Sequence, residues 1–295
     1  MEYQHVPVML IEVLELLKVK SGGQYLDGTL GGAGYTIAIA KKAGTSGQVL
    51  GIDLDENAIQ NASLKIKDQK LENITLAQGN FKNLETIATA VFGAEVKFDG
   101  IVLDLGLSSF QLDDTNRGFS FRGERPLDMS FGPEIDNDTV NIVNKYPLLE
   151  LTRIFREYGE EKLAYQIAQA IVEARKLKKI ETTSDLVAII EARIPFRFRR
   201  RIHPATRVFQ ALRMETNEEL KNLSEVLPQA LALLKKNGRL VVVSFHSGED
   251  RIVKRFLKAN PDVTVITKRP LVPTTQETEA NPRARSAKLR AAVKN

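Results

Sequence analysis

The 295-residue chain contains no cysteine. That excludes a disulfide framework, thiolate-ligated zinc, an iron–sulfur cluster and a thiolate nucleophile, and it fits a reducing compartment. No stretch approaches the ~20 apolar residues of a membrane span. Met1–Val8 lacks a basic segment followed by an apolar run, so a soluble cytoplasmic protein without a membrane partner is expected. Two nucleotide-phosphate signatures are also missing. Counting from Gly32 and Gly34, the third glycine of G-x-G-x-x-G is replaced by Ile37, and G-x-x-x-x-G-K-[ST] does not occur; a nicotinamide-dependent oxidoreductase therefore ranks last. The three histidines form no constellation with acids that would suggest a metal.

What is present is charge, unevenly spread. The totals are 42 basic and 37 acidic side chains, a net of +5. Residues 1–139 carry 12 basic against 20 acidic, residues 140–250 carry 19 against 14, and residues 251–295 carry 11 against 3. An acidic first part followed by a basic remainder points to a polyanionic partner for the later segments. With 43% hydrophobic residues, the chain can bury one large α/β domain or a core domain with a second piece.

Strand and helix patterns alternate through the first hundred residues. Gln24–Asp27, Val49–Leu54, Ile74–Ala77 and Phe98–Leu105 read as strands, with helices near Tyr35–Lys42, Glu56–Ile66 and Leu84–Phe92 between them. This βαβ repetition predicts a parallel sheet with helices on both faces. Residues 107–139 read as an ordered loop. Residues 140–194 read as purely helical, with segments Leu148–Tyr158, Lys162–Leu177 and Ser184–Ile194, the last capped by Ser184. After a basic stretch, one helix is expected over Glu215–Lys236 with a kink at Pro228. Strand Arg239–Phe245, helix Glu249–Ala259, strand Val263–Thr267 and a last strand Lys288–Val293 follow. The simplest division is a core domain of residues 1–135 and 215–295, with an all-helical domain of residues 136–214 inserted after the fourth strand.

The turn Asp27-Gly28-Thr29-Leu30-Gly31-Gly32-Ala33-Gly34 follows the first strand and opens a helix. Its glycines allow close backbone approach to a ligand. Asp53 ends the second strand, placed to accept both hydroxyls of a ribose. A glycine turn without a phosphate signature, facing an acid, suits S-adenosylmethionine, which has a ribose and a sulfonium but no phosphate. Without a thiolate, methylation through a covalent pyrimidine adduct is excluded, so the acceptor should attack directly through nitrogen or oxygen. Asp104 ends the fourth strand at the sheet's carboxyl edge and would orient an exocyclic amine, with Ser108 beside it as a second positioning group.

The run Phe196-Arg197-Phe198-Arg199-Arg200-Arg201-Ile202-His203 interleaves four arginines with two phenylalanines. Arg207 and Arg213 follow, and no acid occurs from Phe196 through Met214. Arginines contact phosphates and aromatic rings stack on unpaired bases, the combination expected for looped or single-stranded RNA. Arg283, Arg285, Lys288 and Arg290 form a second candidate. His246, at the end of the fifth strand, reads equally as a hydrogen-bonded structural residue or a proton acceptor. Asp113 and Asp114 read as turn caps, and Glu249 and Asp250 as acids at a helix start.

Six ordered motifs carry a specific resemblance. They are Asp27 to Gly34, Asp104 to Asp113, Arg117 to Arg122 with Pro126 to Met129, His203 to Arg213, Val243 to Lys254, and Asn281 to Arg290. Together they resemble the bacterial small-subunit ribosomal RNA (cytosine-N4)-methyltransferases, the RsmH/MraW family, from the His5-Val6-Pro7-Val8 start to the C-terminus. The resemblance implies a class I S-adenosylmethionine-dependent methyltransferase fold, a Rossmann-like α/β sheet with a helical insert. It also implies a cytosine in the decoding centre of 16S ribosomal RNA as acceptor, on free RNA or in the small ribosomal subunit. By motif, cofactor contacts fall on Ala33, Gly34, Tyr35, Asp53, Phe81, Asp104 and Gln111; the basic run itself puts RNA contacts on Arg197, Arg199, Arg200, Arg201 and Arg207. Two departures stand out. The family commonly has Gly-Gly-His where this chain has Ala33-Gly34-Tyr35, and Ser-Ser-Pro-Gln where it has Ser108-Ser109-Phe110-Gln111. A nonenzymatic ribosome-assembly factor and a DNA or protein methyltransferase are the rival readings. A homodimer is one assembly the sequence allows.

Overall fold

The computed structural model describes residues 7–106, 118–120, 123–132, 138–194 and 203–295. Its strands form one seven-stranded sheet in the order β3-β2-β1-β4-β5-β7-β6. β1 (Gln24–Asp27), β2 (Gln48–Asp53), β3 (Ile74–Gln78), β4 (Phe98–Asp104) and β5 (Leu234–Ser244) run parallel. β7 (Lys288–Lys294) lies antiparallel between β5 and β6 (Val263–Val265). Strands covered on both faces need apolar residues at successive positions. Ile101, Val102 and Leu103 in β4, and Leu240 to Val243 in β5, are accordingly all buried.

Side-chain alternation sends successive strand residues to opposite faces. Leu26, Leu50, Ile101 and Leu103 pack on one face with α10 (Glu219–Leu233), through Leu223, Val226 and Leu227. Tyr25, Val49, Val102 and Val241 pack on the other with α1 (Leu10–Leu17) and α2 (Gly34–Ala43), through Val13, Leu17 and Ile39. α3 (Glu56–Asp68) starts where the Asp55 side chain accepts the Asn57 amide, and α4 (Leu84–Phe92) follows β3. The strand order reverses beside β1, because the chain runs from β1 out to β3 and returns to β4 on the other side. Ligands of such sheets bind where that reversal opens a crevice at the strands' carboxyl ends.

The chain divides into two compact units, one of Met1–Ser109 with Leu220–Asn295 and one of Phe110–Glu219. The second unit thus begins at 110 rather than 136 and ends at 219 rather than 214. Its described part has α5 (Thr139–Lys145), α6 (Leu148–Glu157), α7 (Ala164–Ala174), α8 (Thr183–Arg193) and α9 (Thr206–Thr216). Residues 123–132 are stapled to these helices, which explains the earlier boundary. The Leu127 amide donates to the Glu181 carbonyl at 3.0 Å. The Asn217 side chain accepts from the Phe131 amide and donates to the Met129 carbonyl, both at 2.8 Å.

Several elements differ from the sequence reading for local reasons. Thr182, not Ser184, caps α8 by accepting the Asp185 amide at 3.1 Å. The single helix expected over Glu215–Lys236 is two, because Glu218 takes a left-handed φ of 49° between α9 and α10. Pro228 lies inside α10. The Lys235-Lys236-Asn237-Gly238 segment, turn-like in composition, belongs to β5, where pairing with β4 shifts register between Phe98 and Gly100. α11 (Ser247–Ala259) follows β5, and α12 (Thr275–Ala280) lies between the expected strands Val263–Thr267 and Lys288–Val293.

At the sheet edge opposite the crevice, Asp99 of β4 accepts from the Gln24 amide at 2.9 Å and from Lys235 Nζ at 2.8 Å, and pairs with Lys20 at 2.8 Å. Burial works against its charge, but the Gln24 amide and the two ammonium groups outweigh it and hold the carboxyl at about 2. A carboxylate depressed below its unfolded value adds stability above that value and loses it as pH falls through the folded one. Asp99→Asn should cost about 1–2 kcal/mol at neutral pH, allowing for solvent screening. In urea titrations the gap to the parent should close as pH falls from about 4 to about 2; a pH-independent gap would sink this account.

Candidate active site

The glycine turn is shaped by what surrounds each backbone position. A Cβ on Gly28 would lie 2.6 Å from Leu103 Cδ2, and one on Gly34 would lie 2.1 Å from Pro7 Cγ. Both glycines are therefore required by packing. Gly32 differs, since a Cβ there would have nothing nearer than Lys65 Nζ at 3.8 Å, and Lys65 donates to its carbonyl at 3.1 Å. The turn is tied to β2 by the Leu30 amide on the Ile52 carbonyl at 2.8 Å and by the Gly31 amide on Asp53 Oδ2 at 2.8 Å. Ala33 completes it in a left-handed conformation, φ 64°, just before α2.

Four acids gather at the carboxyl ends of the strands and the following helix start. Asp27, fully buried at the end of β1, accepts from Thr36 Oγ1 at 2.7 Å and from the Thr29 amide at 3.1 Å. Burial pushes it up to about 6 despite those bonds. Asp53 at the end of β2 accepts from the Gly31 and Asp55 amides, and burial raises it too. Asp104 ends β4. Its amide donates to Thr29 Oγ1 at 2.6 Å, locking the β1 turn to β4. Its Oδ1 is buried and has no hydrogen-bond partner among the described residues. Burial first, then the charges of Asp27 and Glu249, raise its carboxyl well above the ordinary range. A phosphate would be repelled here; a cation and a pair of hydroxyls suit the donors and acceptors present.

Glu249 and Thr29 are the site residues that sequence reasoning missed as such. Glu249, in the first turn of α11, accepts from the Phe245 and His246 amides through Oε2. His246 Nδ1 accepts from the Gly248 and Glu249 amides at 3.1 and 3.3 Å, closing a capping box. The structural reading of His246 is the one this geometry supports. Histidine is not a customary N-cap residue, so the box was hidden, although an acid three positions later is its usual signal.

The other expected site residues are distributed as follows. Ala33 and Gly34 lie in the turn. Tyr35 turns inward: its ring joins the buried cluster on the α1–α2 face and its hydroxyl donates to the Val8 carbonyl, leaving only its backbone near the turn. Phe81 stands in a 3-10 turn (Phe81–Asn83) after β3, partly buried against the core. That turn is held beside Asp53 by the Gly79 amide on the Asp53 carbonyl at 2.9 Å, and by Gln229 on the Lys82 carbonyl. Ser108, Phe110, Gln111, Asp113 and Asp114, and Arg197, Arg199, Arg200 and Arg201, lie outside the described residues. Arg207 donates to the Glu160 carbonyl at 3.1 Å. Two members of the basic runs are engaged by carboxylates: Arg213 grips Glu219 at 2.7 and 2.8 Å, and buried Arg290 grips Asp250 at 2.6 and 3.2 Å.

Residues 2–295 match the MraW methylase family. The chain belongs to that family. It is 45% identical to the ribosomal RNA small subunit methyltransferase H of Heliobacterium modesticaldum, covering 100% of this chain and 99% of that protein. The protein of the same name from Clostridium botulinum (strain Loch Maree / Type A3) is 43% identical, with 98% of each chain covered. The one from Carboxydothermus hydrogenoformans is 44% identical over 100% of this chain and 99% of its own.

Within the MraW family pattern, Ala33 stands where glycine is common. A left-handed alanine costs about 1 kcal/mol, partly offset because glycine loses more entropy on folding. Ala33→Gly should therefore raise thermal stability by up to about 1 kcal/mol. A lower melting temperature would mean that Ala33's packing against Leu30, Ala62 and Ile66 outweighs the strain.

Proposed function

We propose that this chain transfers the methyl group of S-adenosylmethionine to the exocyclic N4 of a cytosine in the decoding centre of 16S ribosomal RNA. The observation that carries the reading is Asp104: a buried carboxyl with an unpartnered oxygen among the described residues, at the end of β4 beside the glycine turn. The relatives' shared name supplies the substrate class, small-subunit ribosomal RNA.

The residues of the site suit the cofactor chemically. The space beside the Gly32 Cα and the acids Asp27, Asp53 and Asp104 match a ligand with a positive centre and a ribose, and no phosphate has to be accommodated. When bound, the cofactor supplies an electrophilic methyl group and keeps the S–C bonding pair as a neutral thioether. Asp53 would accept the ribose hydroxyls, with Phe81 against the adenine, the Ala33–Tyr35 backbone along the donor, and Gln111 closing the pocket. Asp104, with Ser108, would accept a hydrogen bond from the amine and aim its lone pair at the methyl carbon. Arg197, Arg199, Arg200, Arg201 and Arg207 would meet the RNA.

The lack of cysteine fits an amine acceptor, since a carbon acceptor on a pyrimidine needs a covalent thiolate adduct. A nonenzymatic assembly factor would have no use for the acid-lined turn, and the relatives' name disfavours a DNA or protein substrate. No described helix is long and apolar enough to cross a membrane. The cytoplasm is the compartment the proposal implies, because ribosomal subunits are assembled there.

Two measurements test the proposal. Incubation with methyl-labelled cofactor and undermodified small subunits, followed by nucleoside mass spectrometry, should place the label on N4-methylcytidine; label on another base, or only on protein, rejects it. Asp53→Ala should weaken cofactor binding at least about tenfold, the equivalent of one charge-assisted hydrogen bond. Unchanged affinity in a thermal-shift titration would remove Asp53 from the pocket.

A further inference from the structure

Asp104 is an acid for which the described residues provide no positive neighbour. From β1 it faces Asp27, whose oxygens are engaged by Thr29 and Thr36. From α11 it faces Glu249, whose Oε1 lies 3.1 Å from His246 Nε2. From α2 it faces the Tyr35 phenol, which donates its proton to Val8. His246 Nδ1 accepts two backbone N–H groups. Among the described residues, the charged groups that act on Asp104 are the acids Asp27 and Glu249, and its Oδ1 is shut off from water.

We propose that Asp104 holds a proton in the free site and releases it when the sulfonium of S-adenosylmethionine enters, so that binding of the cationic cofactor, and not of its neutral thioether product, is coupled to proton release. The proposal rests on the reading of the site given above. A positive charge arriving within a few ångströms favours the ionised carboxyl, whereas a thioether leaves the like-charge crowding of Asp27 and Glu249 in control. The raised carboxyl of Asp104 agrees with the first half of that cycle.

The same switch gives the reaction's proton a destination. The amine's lone pair makes the new N–C bond and leaves that nitrogen with one proton in excess. Asp104, ionised while the positive charge stood beside it, takes that proton as the charge leaves sulfur. The neutral acid is restored, and the site is back in its ligand-free protonation state.

Calorimetric titration of the full-length protein with S-adenosylmethionine and with S-adenosylhomocysteine, each in two buffers of different ionisation enthalpy, tests the coupling. Near neutral pH the first ligand should release close to one proton and the second none. The ratio of the two affinities should rise about tenfold per pH unit up to the free-site value of Asp104. Asp104→Asn should flatten that slope. Glu249→Gln, which keeps an acceptor for the Phe245 and His246 amides but removes one like charge, should move it to lower pH; this arm does not depend on the Asp104 variant folding. Equal proton release by both ligands, release by neither, or an unchanged slope in both variants overturns the proposal. If neither ligand binds, the reading of the site falls, and the proposal with it.

Discussion

Burying carboxyl groups without cations is the constraint around which the core unit is organised. Isolating a charge from water is costly, and a protein group so placed sheds the charge or finds compensation. Asp27 cannot turn outward, because β1 is an interior strand of the sheet and is covered on both faces. Its partial compensation comes from Thr36 and Thr29, and Thr29 in turn holds the Asp104 amide. The ends of β1 and β4 and the start of α2 are therefore one hydrogen-bonded unit. Its position is set by apolar packing deep in the sheet, and its polarity by three strand-ending acids.

That arrangement explains why the acidic first part of the chain and its basic remainder are both needed. The acids supply an environment in which a positive ligand is the natural complement. The basic residues divide into two kinds. Arg213 and Arg290 are committed to Glu219 and Asp250, so they hold the fold together, and under the proposed function phosphate contact would fall to others in the same runs. A linear count of arginines overstates the surface charge for this reason.

The parallel strands were legible because burial on both faces demands unbroken apolar runs, and the site acids were legible because each closes such a run. Asp27, Asp53 and Asp104 needed nothing beyond their place at a strand end. Tyr35 was not legible as an inward residue, since only the Val8 carbonyl, far away in sequence, draws its hydroxyl into the core. α9 was hidden under its arginines, although Val208, Phe209, Ala211 and Leu212 give it a buried face. The break at Glu218 and the early start of β5 escaped because tertiary pairing overrode local preference: Leu234 to Lys236 read as the end of a helix until β4 is beside them. Glu249 was read correctly as a helix-start acid, but a one-dimensional pattern could not show that it also faces Asp104.

The place of the insert has a kinetic side. β4 and β5 are neighbours in the sheet, yet about 130 residues separate Asp104 from Leu234. Joining the ends of a structureless loop of that length would cost about 4 kcal/mol in chain entropy before any strand pairing offset it. Most of the described residues between them instead form helices, and helices built on local contacts assemble orders of magnitude faster than distant strand pairs. Helices formed early shorten the effective loop, so the insert acts as a splint for the last parallel pairing of the sheet. Substitutions that loosen those helices would then slow the closing of a sheet to which they contribute no strand.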